Sequence, residues 1–260
     1  MLVGAGAILV GVALVPLASA GTLALHAEIH WKGGDVACPG DLPSTVACHP
    51  HPGRAVVPGL GEVTQAYVFP LEQNAMPPDC KAKGGFNVLG YRARLVVNGK
   101  GEIFFAVSGI PGCFFGPPPD TVVNNTQPFT ITGGSGRYVG ASGTGTLTHV
   151  GKFDPSYGHA VGIDTWTGTL VVPGLEFDLK APTISGAANK VVRAPPGART
   201  ARVTFNLSAR DDVDGSLPVS CKPRSGSRFK VGRTRVTCSA TDTSGNRASA
   251  TFTVTVKRRR

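Results

Sequence analysis

Val203-Thr-Phe-Asn-Leu-Ser-Ala-Arg-Asp-Asp-Val-Asp-Gly-Ser-Leu-Pro-Val-Ser-Cys221, then Arg228-Phe-Lys-Val-Gly-Arg-Thr-Arg-Val-Thr-Cys238-Ser-Ala-Thr-Asp-Thr-Ser-Gly-Asn246, then Ala250-Thr-Phe-Thr-Val-Thr-Val256, is the stretch that decides the fold. Val203, Phe205 and Leu207 alternate with Thr204, Asn206 and Ser208, which gives a strand one apolar and one polar face. Val236, Cys238 and Ala240 share a face opposite Arg235, Thr237 and Ser239, and Phe252, Val254 and Val256 face away from Thr251, Thr253 and Thr255. Asp214-Gly215 and Ser244-Gly245-Asn246 supply turn residues that tolerate positive φ. Val219 and Cys221 fall on the inward set with Cys238, so a bridge between the two cysteines would close a short loop and stabilise by about 3 kcal/mol. In a unit this small that is a large share of net stability.

Composition extends the β reading to the rest of the chain. Charged residues make up only 16% of 260, against 35 Gly and 21 Pro, and strong helix formers are sparse. The expected fold class is all-β, with an N-terminal β-barrel or sandwich over 21–178 and an immunoglobulin-like β-sandwich over 179–257. Residues 258–260 form a basic tail. Met1–Ala20 is an uncharged apolar run ending in small residues, which reads as a signal peptide cleaved before Gly21 and places the protein outside the cell or in its envelope. It lacks the usual basic start, so an uncleaved anchor remains the other reading.

Six cysteines in an exported chain favour disulfides. No Cys-x-x-Cys is present, which leaves a zinc ribbon or a redox thiol pair without support. Four cysteines lie in the first half and two in the second, so each half can close its own bridges. For the first half, locality favours Cys38 with Cys48 and Cys80 with Cys113, one of three possible connectivities.

The string Asp211-Asp-Val-Asp-Gly-Ser-Leu-Pro-Val-Ser-Cys221, with Ser225-Gly-Ser-Arg-Phe-Lys-Val-Gly-Arg-Thr-Arg-Val-Thr-Cys238-Ser-Ala-Thr-Asp-Thr-Ser-Gly-Asn246, resembles the hyalin-repeat (HYR) family. The resemblance covers about 179–256 and implies an immunoglobulin-like sandwich associated with extracellular adhesion and recognition. Members often carry a second cysteine pair near the domain ends. Here Ala250 stands at the last-strand position and no cysteine occurs over 179–200, which supports Cys221 and Cys238 as mates.

Charge divides unevenly. Residues 179–260 hold 17 Lys/Arg against four Asp/Glu, a net of +13, whereas 1–178 have a net of −3. Such a field attracts polyanions, with an acidic polysaccharide or another anionic surface polymer foremost and a protein partner as the alternative. Nucleic acid is not the expected partner, and a membrane enters only if the N-terminal segment stays uncleaved. Arg224, Arg228, Arg233 and Arg235 are the candidate anion-binding residues, although dispersed arginines also keep an exported domain soluble. Asp211, Asp212, Asp214 and Asp242 lie in loops that could converge at one end of the sandwich, where calcium would want such oxygens, but the spacing is not that of an EF-hand loop and turn formation explains them better.

In the first half, Leu23, Leu25, Ala27, Ile29 and Trp31 alternate with polar neighbours. Tyr91–Val97, a turn at Asn98-Gly-Lys-Gly101 and Glu102–Ser108 read as a hairpin, and Ile103–Val107 reads as covered on both faces. Further strands are expected at Phe129–Thr132, Gly143–His149, Thr165–Val171 and Leu175–Leu179. Phe129-Thr-Ile-Thr-Gly-Gly-Ser-Gly-Arg-Tyr-Val-Gly-Ala-Ser-Gly-Thr-Gly-Thr-Leu147 is similar to a strand–turn–strand signature of allene oxide cyclase and dirigent-like barrels. That similarity, over about 85–175, implies an eight-stranded barrel with room for an apolar ligand. Phe104, Phe105, Phe114 and Phe115 are candidates to line a lumen or simply to fill a core, and Glu102 or Tyr91 would supply a polar group.

No catalytic constellation stands out. Gly134-Ser-Gly-Arg-Tyr-Val lacks the third glycine of a dinucleotide loop and no helix follows it, and no Gly-x-Ser-x-Gly occurs. His26, Glu28 and His30 share a strand face, and His49 and His51 are expected in a proline-rich loop beside Cys48. Zinc or copper would suit that donor set, while a solvent face predicts the same alternation, so no cofactor is assigned. The leading expectation is a non-enzymatic exported recognition or adhesion protein. The alternative is a carrier of a small apolar ligand, or a cyclase-like enzyme, in the first domain.

Overall fold

A computed structural model describes residues 20–34, 36–38, 42, 46–73, 85–115, 121–154 and 159–259. The expected signal peptide and Cys80 therefore lie outside the described residues, apart from Ala20. Among the described residues no helix is long and apolar enough to cross a membrane.

The first eleven strands are β1 (Ala20–Gly34), β2 (Val46–Pro50), β3 (Gly53–Val57), β4 (Gly61–Gln73), β5 (Gly85–Val88) and β6 (Tyr91–Val97), followed by β7 (Gly101–Val107), β8 (Ile110–Phe115), β9 (Thr121–Gly134), β10 (Ser142–Asp154) and β11 (His159–Pro173). Eight of them close into an antiparallel barrel in the order β1-β3-β4-β6-β7-β9-β10-β11 and back to β1. The remaining three, β2, β5 and β8, pair with the far ends of β4 and β9 and extend the wall at one end. Closure removes the open edges that so many strands would otherwise expose.

Period-two alternation sets the inward face. Leu23, Leu25, Ala27, Ile29 and Trp31 of β1 are all buried, and the first four pack with Leu95, Ile103, Phe105, Phe129, Leu147 and Trp166. Trp166 lies 4.7 Å from Phe105 and 5.4 Å from Phe129 between ring centroids, so aromatic side chains occupy the middle of the barrel. Glycines make room for them. A Cβ at Gly145 or Gly168 would run into the Phe129 ring, and one at Gly162 into Trp31.

The glycine-rich turn after β9 serves a backbone contact. Ser135 N donates to Glu102 O (2.8 Å) and Arg137 N to Lys100 O (2.9 Å), tying the turn to the β6–β7 hairpin. Gly101 (φ 131°) and Gly136 (φ 60°) sit face to face, each too close to the other segment's carbonyl oxygen for any side chain.

Two expectations for the first half need correction. Leu175–Leu179 forms no strand: Leu175 and Phe177 pack partly buried over the barrel core, so their apolar character reflects a docked linker. β7 is covered on one side only. Ile103, Phe105 and Val107 point inward, whereas Ala106 is exposed and Phe104 lies on the outer wall beside Arg92 and Arg94.

The second half comprises β12 (Thr183–Ser185), β13 (Lys190–Arg193), β14 (Thr200–Arg202), β15 (Ser208–Asp211) and β16 (Gly215–Leu217), then β17 (Ser220–Lys222), β18 (Arg228–Lys230), β19 (Gly232–Thr241) and β20 (Arg247–Lys257). A four-stranded sheet, β13-β20-β19-β17, encloses a core with two smaller sheets, β12-β15-β16 and β14-β18. Val203, Phe229, Val236, Cys238, Phe252, Val254 and Val256 fill it. The stretch 203–207 keeps its inward alternation without joining a ladder. Facing it is a segment containing Pro223, which has no N–H to give, and Ser225 Oγ bridges both backbone groups of Phe205 instead.

Both expected local bridges that can be traced are present, Cys38–Cys48 and Cys221–Cys238, and Cys113 is also disulfide-bonded. The two halves touch through the β3–β4 turn. Lys100 Nζ donates to Leu60 O and to Thr243 O, each at 2.9 Å, and a Cβ at Gly245 would press on Val57 O.

Candidate functional site

Polar side chains buried in an apolar barrel identify the first place to look. Asp164 of β11 is 0% exposed and occupies an inward position two residues from Trp166. Its Oδ1 accepts from Trp31 Nε1 (3.1 Å) and His149 Nδ1 (2.7 Å). Its Oδ2 accepts from Gln65 Nε2 (2.7 Å) and, through a short bond, from the Tyr67 hydroxyl. Because Tyr67 donates to Asp164, its oxygen accepts from His51 Nδ1 at 2.7 Å, which fixes the proton of His51 on that nitrogen. Gln65 Oε1 in turn accepts from Trp166 Nε1 at 3.1 Å. Both tryptophans of the chain are thereby anchored to one network.

The electrostatics follow from this pairing. Burial alone would push the Asp164 carboxyl up, but the His149 hydrogen bond and the nearby His51, whose Nδ1 stands 3.4 Å from Oδ2, outweigh it and hold the group well below the usual carboxylate range. Burial lowers His51 to about 4 against the opposing pull of Asp164, so its imidazole is neutral at physiological pH. Burial and the Asp164 charge raise the Tyr67 phenol well above its ordinary value. The result is one buried negative charge held by oriented donors.

His51, His149 and Asp164 also have a metal-like composition, with ligand atoms within 4.8 Å of one another. The geometry argues against an ion. Four donors already occupy the lone-pair directions of the carboxylate, and the His51 and His149 rings stack 4.7 Å apart at 19°. Nδ1 of each ring is already engaged, on the Tyr67 hydroxyl in one case and on Asp164 in the other. Trp31 lies against both imidazoles, 3.7 Å from His51 at 4° and 5.2 Å from His149 at 20°. This centre is a closed polar hub.

His26, Glu28 and His30 take no part in it. They stand on the outer face of β1, where His30 pairs with Glu28 at 3.4 Å and His26 meets Thr167 Oγ1 at 3.4 Å. His49 and His51 are not in a surface loop: His49 lies on β2, His51 follows it, and both are buried. The prolines at 50 and 52 hide that strand from a pattern search. Glu102 is outside the barrel and pairs with Arg94 at 3.3 Å, while the half-buried Tyr91 hydroxyl donates to Gln127 Oε1 at 3.4 Å. Of the four phenylalanines, Phe105 faces in and Phe104 out; nothing is described for the side chains of Phe114 and Phe115.

The sequence reading missed Trp31, Gln65, His149 and Asp164 as a group. A signal existed: His149 ends one expected strand and Asp164 stands one residue before another, both on the inward phase, where a polar residue needs an explanation.

The second place to look is the outer face of β13-β20-β19-β17. These four strands contain seven Lys/Arg and no Asp or Glu. Arg193, Lys222, Arg233, Arg235, Arg247 and Lys257 occupy exposed positions, separated by Thr and Ser. Register sets Arg193 beside Lys257, Arg233 beside Thr255 and Arg235 beside Thr253, which gathers cations toward one end. Of the four candidate arginines, Arg233 and Arg235 belong to this face. Arg228 lies on β18, paired with Arg202 of β14, and Arg224 sits in the loop before it.

The candidate calcium residues separate as well. Asp212 pairs with Lys180, and Asp214 accepts from Thr243 N (2.7 Å) and from its hydroxyl. Asp211 and Asp242 come together, joined by Asp178.

Residues 177–256 match the HYR domain family. A stretch of 93 residues, 35% of this chain, is 37% identical to hyalin of Strongylocentrotus purpuratus and spans 8% of that protein. No solved structure matches. The C-terminal sandwich thus carries an HYR domain, and with the disulfides of both halves this fits an extracellular protein.

Proposed function

We propose that this is an exported recognition or adhesion protein whose HYR sandwich holds an anionic surface polymer, such as an acidic polysaccharide, without a chemical step. The observation that carries the reading is the acid-free outer face of β13-β20-β19-β17, with its six exposed cations. Arg233 and Arg235 are two positions apart on one strand, so their side chains emerge about 7 Å from each other. Thr and Ser between them offer hydroxyls to the same ligand. A flat array of this kind suits a chain of repeated carboxylates or sulfates better than a compact ligand.

The barrel supports the sandwich in this reading. Trp166, Phe105 and Phe129 fill its middle, which removes the main ground for an apolar carrier or a cyclase-like enzyme. The test is retention on immobilised dextran sulfate. Replacing Arg193, Arg233, Arg235 and Lys257 by Gln should bring elution to much lower salt, while Arg202→Gln with Arg228→Gln on the other side should change it little. Losses in proportion to the four and two charges removed would leave net charge alone as the cause and refute a dedicated face.

A further inference from the structure

The outer wall of the barrel is uneven in chemistry. Arg54, Glu62, Arg92 and Arg94 stand on β3, β4 and β6. On the opposite side the middle stretches of β9, β10 and β11 present almost nothing but threonine. Register orders these residues into rows. Thr144 of β10 stands between Thr130 of β9 and Thr169 of β11. Thr148 stands between Thr126 and Thr165, and in the middle row Thr146 lies between Pro128 and Thr167. Eight of these nine positions are therefore threonine and none is charged. Thr148 and Thr165 are half-buried, and the other six threonines are exposed.

Residues on one face of a strand repeat every two positions, about 6.8 Å, and neighbouring strands lie about 4.8 Å apart. The hydroxyls and methyls thus form a two-dimensional grid. Branching at Cβ leaves each side chain few rotamers, and Thr126 Oγ1 shares a hydrogen bond of 3.0 Å with Thr148 Oγ1. The grid is firmly backed. Phe129, Leu147 and Trp166 are buried on the inner side of the same strands, and Gly145 and Gly168 lack the Cβ that would strike the Phe129 ring. Strand propensity alone would mix other residue types into the face, as β6 and β7 do with Arg92, Val96 and Phe104.

We propose that this threonine face binds the surface of ice. Charge complementarity selects the occupant: the basic face of the sandwich suits anions, whereas a face without charge suits a neutral surface. A crystalline polysaccharide is a neutral hydroxyl lattice too, but such surfaces are held on flat aromatic side chains, and the nine positions carry none. Ice offers oxygen atoms that repeat in two directions at spacings close to those of the grid. Methyl groups set between the hydroxyls order the first layer of water against it. Neighbouring strands twist by about 20–25°, which confines the match to these three strands. Adsorption over so small a patch slows the growth of large ice crystals at the expense of small ones more readily than it depresses freezing. None of this depends on which polymer the basic face holds.

Recrystallisation of a thin ice wafer held just below freezing, with the full chain at fixed concentration, tests this. The wild-type chain should keep the mean crystal size below that reached with serum albumin. Thr146→Lys with Thr167→Lys, paired at the centre of the grid, should lose the effect. Thr64→Lys with Val96→Lys, equally paired on the opposite wall, should keep it. Tryptophan fluorescence checks the fold of each variant. Where the first pair fails to fold, Thr146→Ser with Thr167→Ser, which removes only the methyls, takes its place with the same loss expected. Absence of any effect of the wild-type chain, or equal inhibition by the two lysine variants, overturns the proposal. Sedimentation with crystalline cellulose that only the Thr146/Thr167 variant loses overturns it in favour of a polysaccharide.

Discussion

Replacing Asp164 by alanine takes away the acceptor shared by Trp31 Nε1, Gln65 Nε2, the Tyr67 hydroxyl and His149 Nδ1. Each buried donor left unsatisfied costs about 1–3 kcal/mol. Four of them amount to about 4–12 kcal/mol, and a water trapped in the vacated space can satisfy two, which puts the expectation at the lower end. Typical domain stability is only about 5–15 kcal/mol, so most of the barrel's margin goes. The assay is urea unfolding followed by tryptophan fluorescence. Trp31 and Trp166 are the only two tryptophans, and both belong to the hub, so the signal reports this domain and not the sandwich. Asp164→Asn retains one oxygen acceptor and should fall between wild type and alanine. A variant Asp164→Ala within about 1 kcal/mol of wild type, at unchanged denaturant slope, would refute the hub as a source of stability.

Acid should weaken the same centre. His51 takes up its proton near 4 when folded and near 6.5 when unfolded, so stability present above about pH 6.5 declines as the pH falls, by about 2 kcal/mol at pH 5 and 3 at pH 4. Asp164, whose folded carboxyl lies below its ordinary 3.8, adds a second loss under about pH 4; melts from pH 8 to 2 check both, and a flat profile between 7 and 5 contradicts the His51 part. Cys221 and Cys238 are 17 positions apart, so replacing both by alanine should cost the sandwich about 3 kcal/mol, read as a lowered calorimetric transition while the tryptophan signal of the barrel holds.

Local pattern made much of the fold legible. The alternation at 91–97 and 102–108 gave the β6–β7 hairpin, and that at 235–240 and 251–256 gave β19 and β20. What escaped was whatever depends on contact between distant segments. Asp164 meets Gln65 and Tyr67 across 99 and 97 positions, and no window along the chain contains such a pair. Leu175–Leu179 was apolar because it docks on the barrel, and this also concealed Asp178, which read as one position in a strand. The basic face was visible as net charge, but its confinement to one sheet needed the register of β13 against β20.

That same register has a mechanical meaning. β13 runs parallel to β20, with Lys190 opposite Val254 and Arg193 opposite Lys257. β13 is drawn toward the barrel and β20 toward the C-terminal end of the chain, so tension between the two pulls the paired strands in opposite directions along their length. The ladder then bears load as a whole, all its hydrogen bonds sharing the shear, where a hairpin pulled from its open end would surrender them one after another. A molecule held at its barrel and stretched from its far end would meet its stiffest resistance at this four-residue ladder.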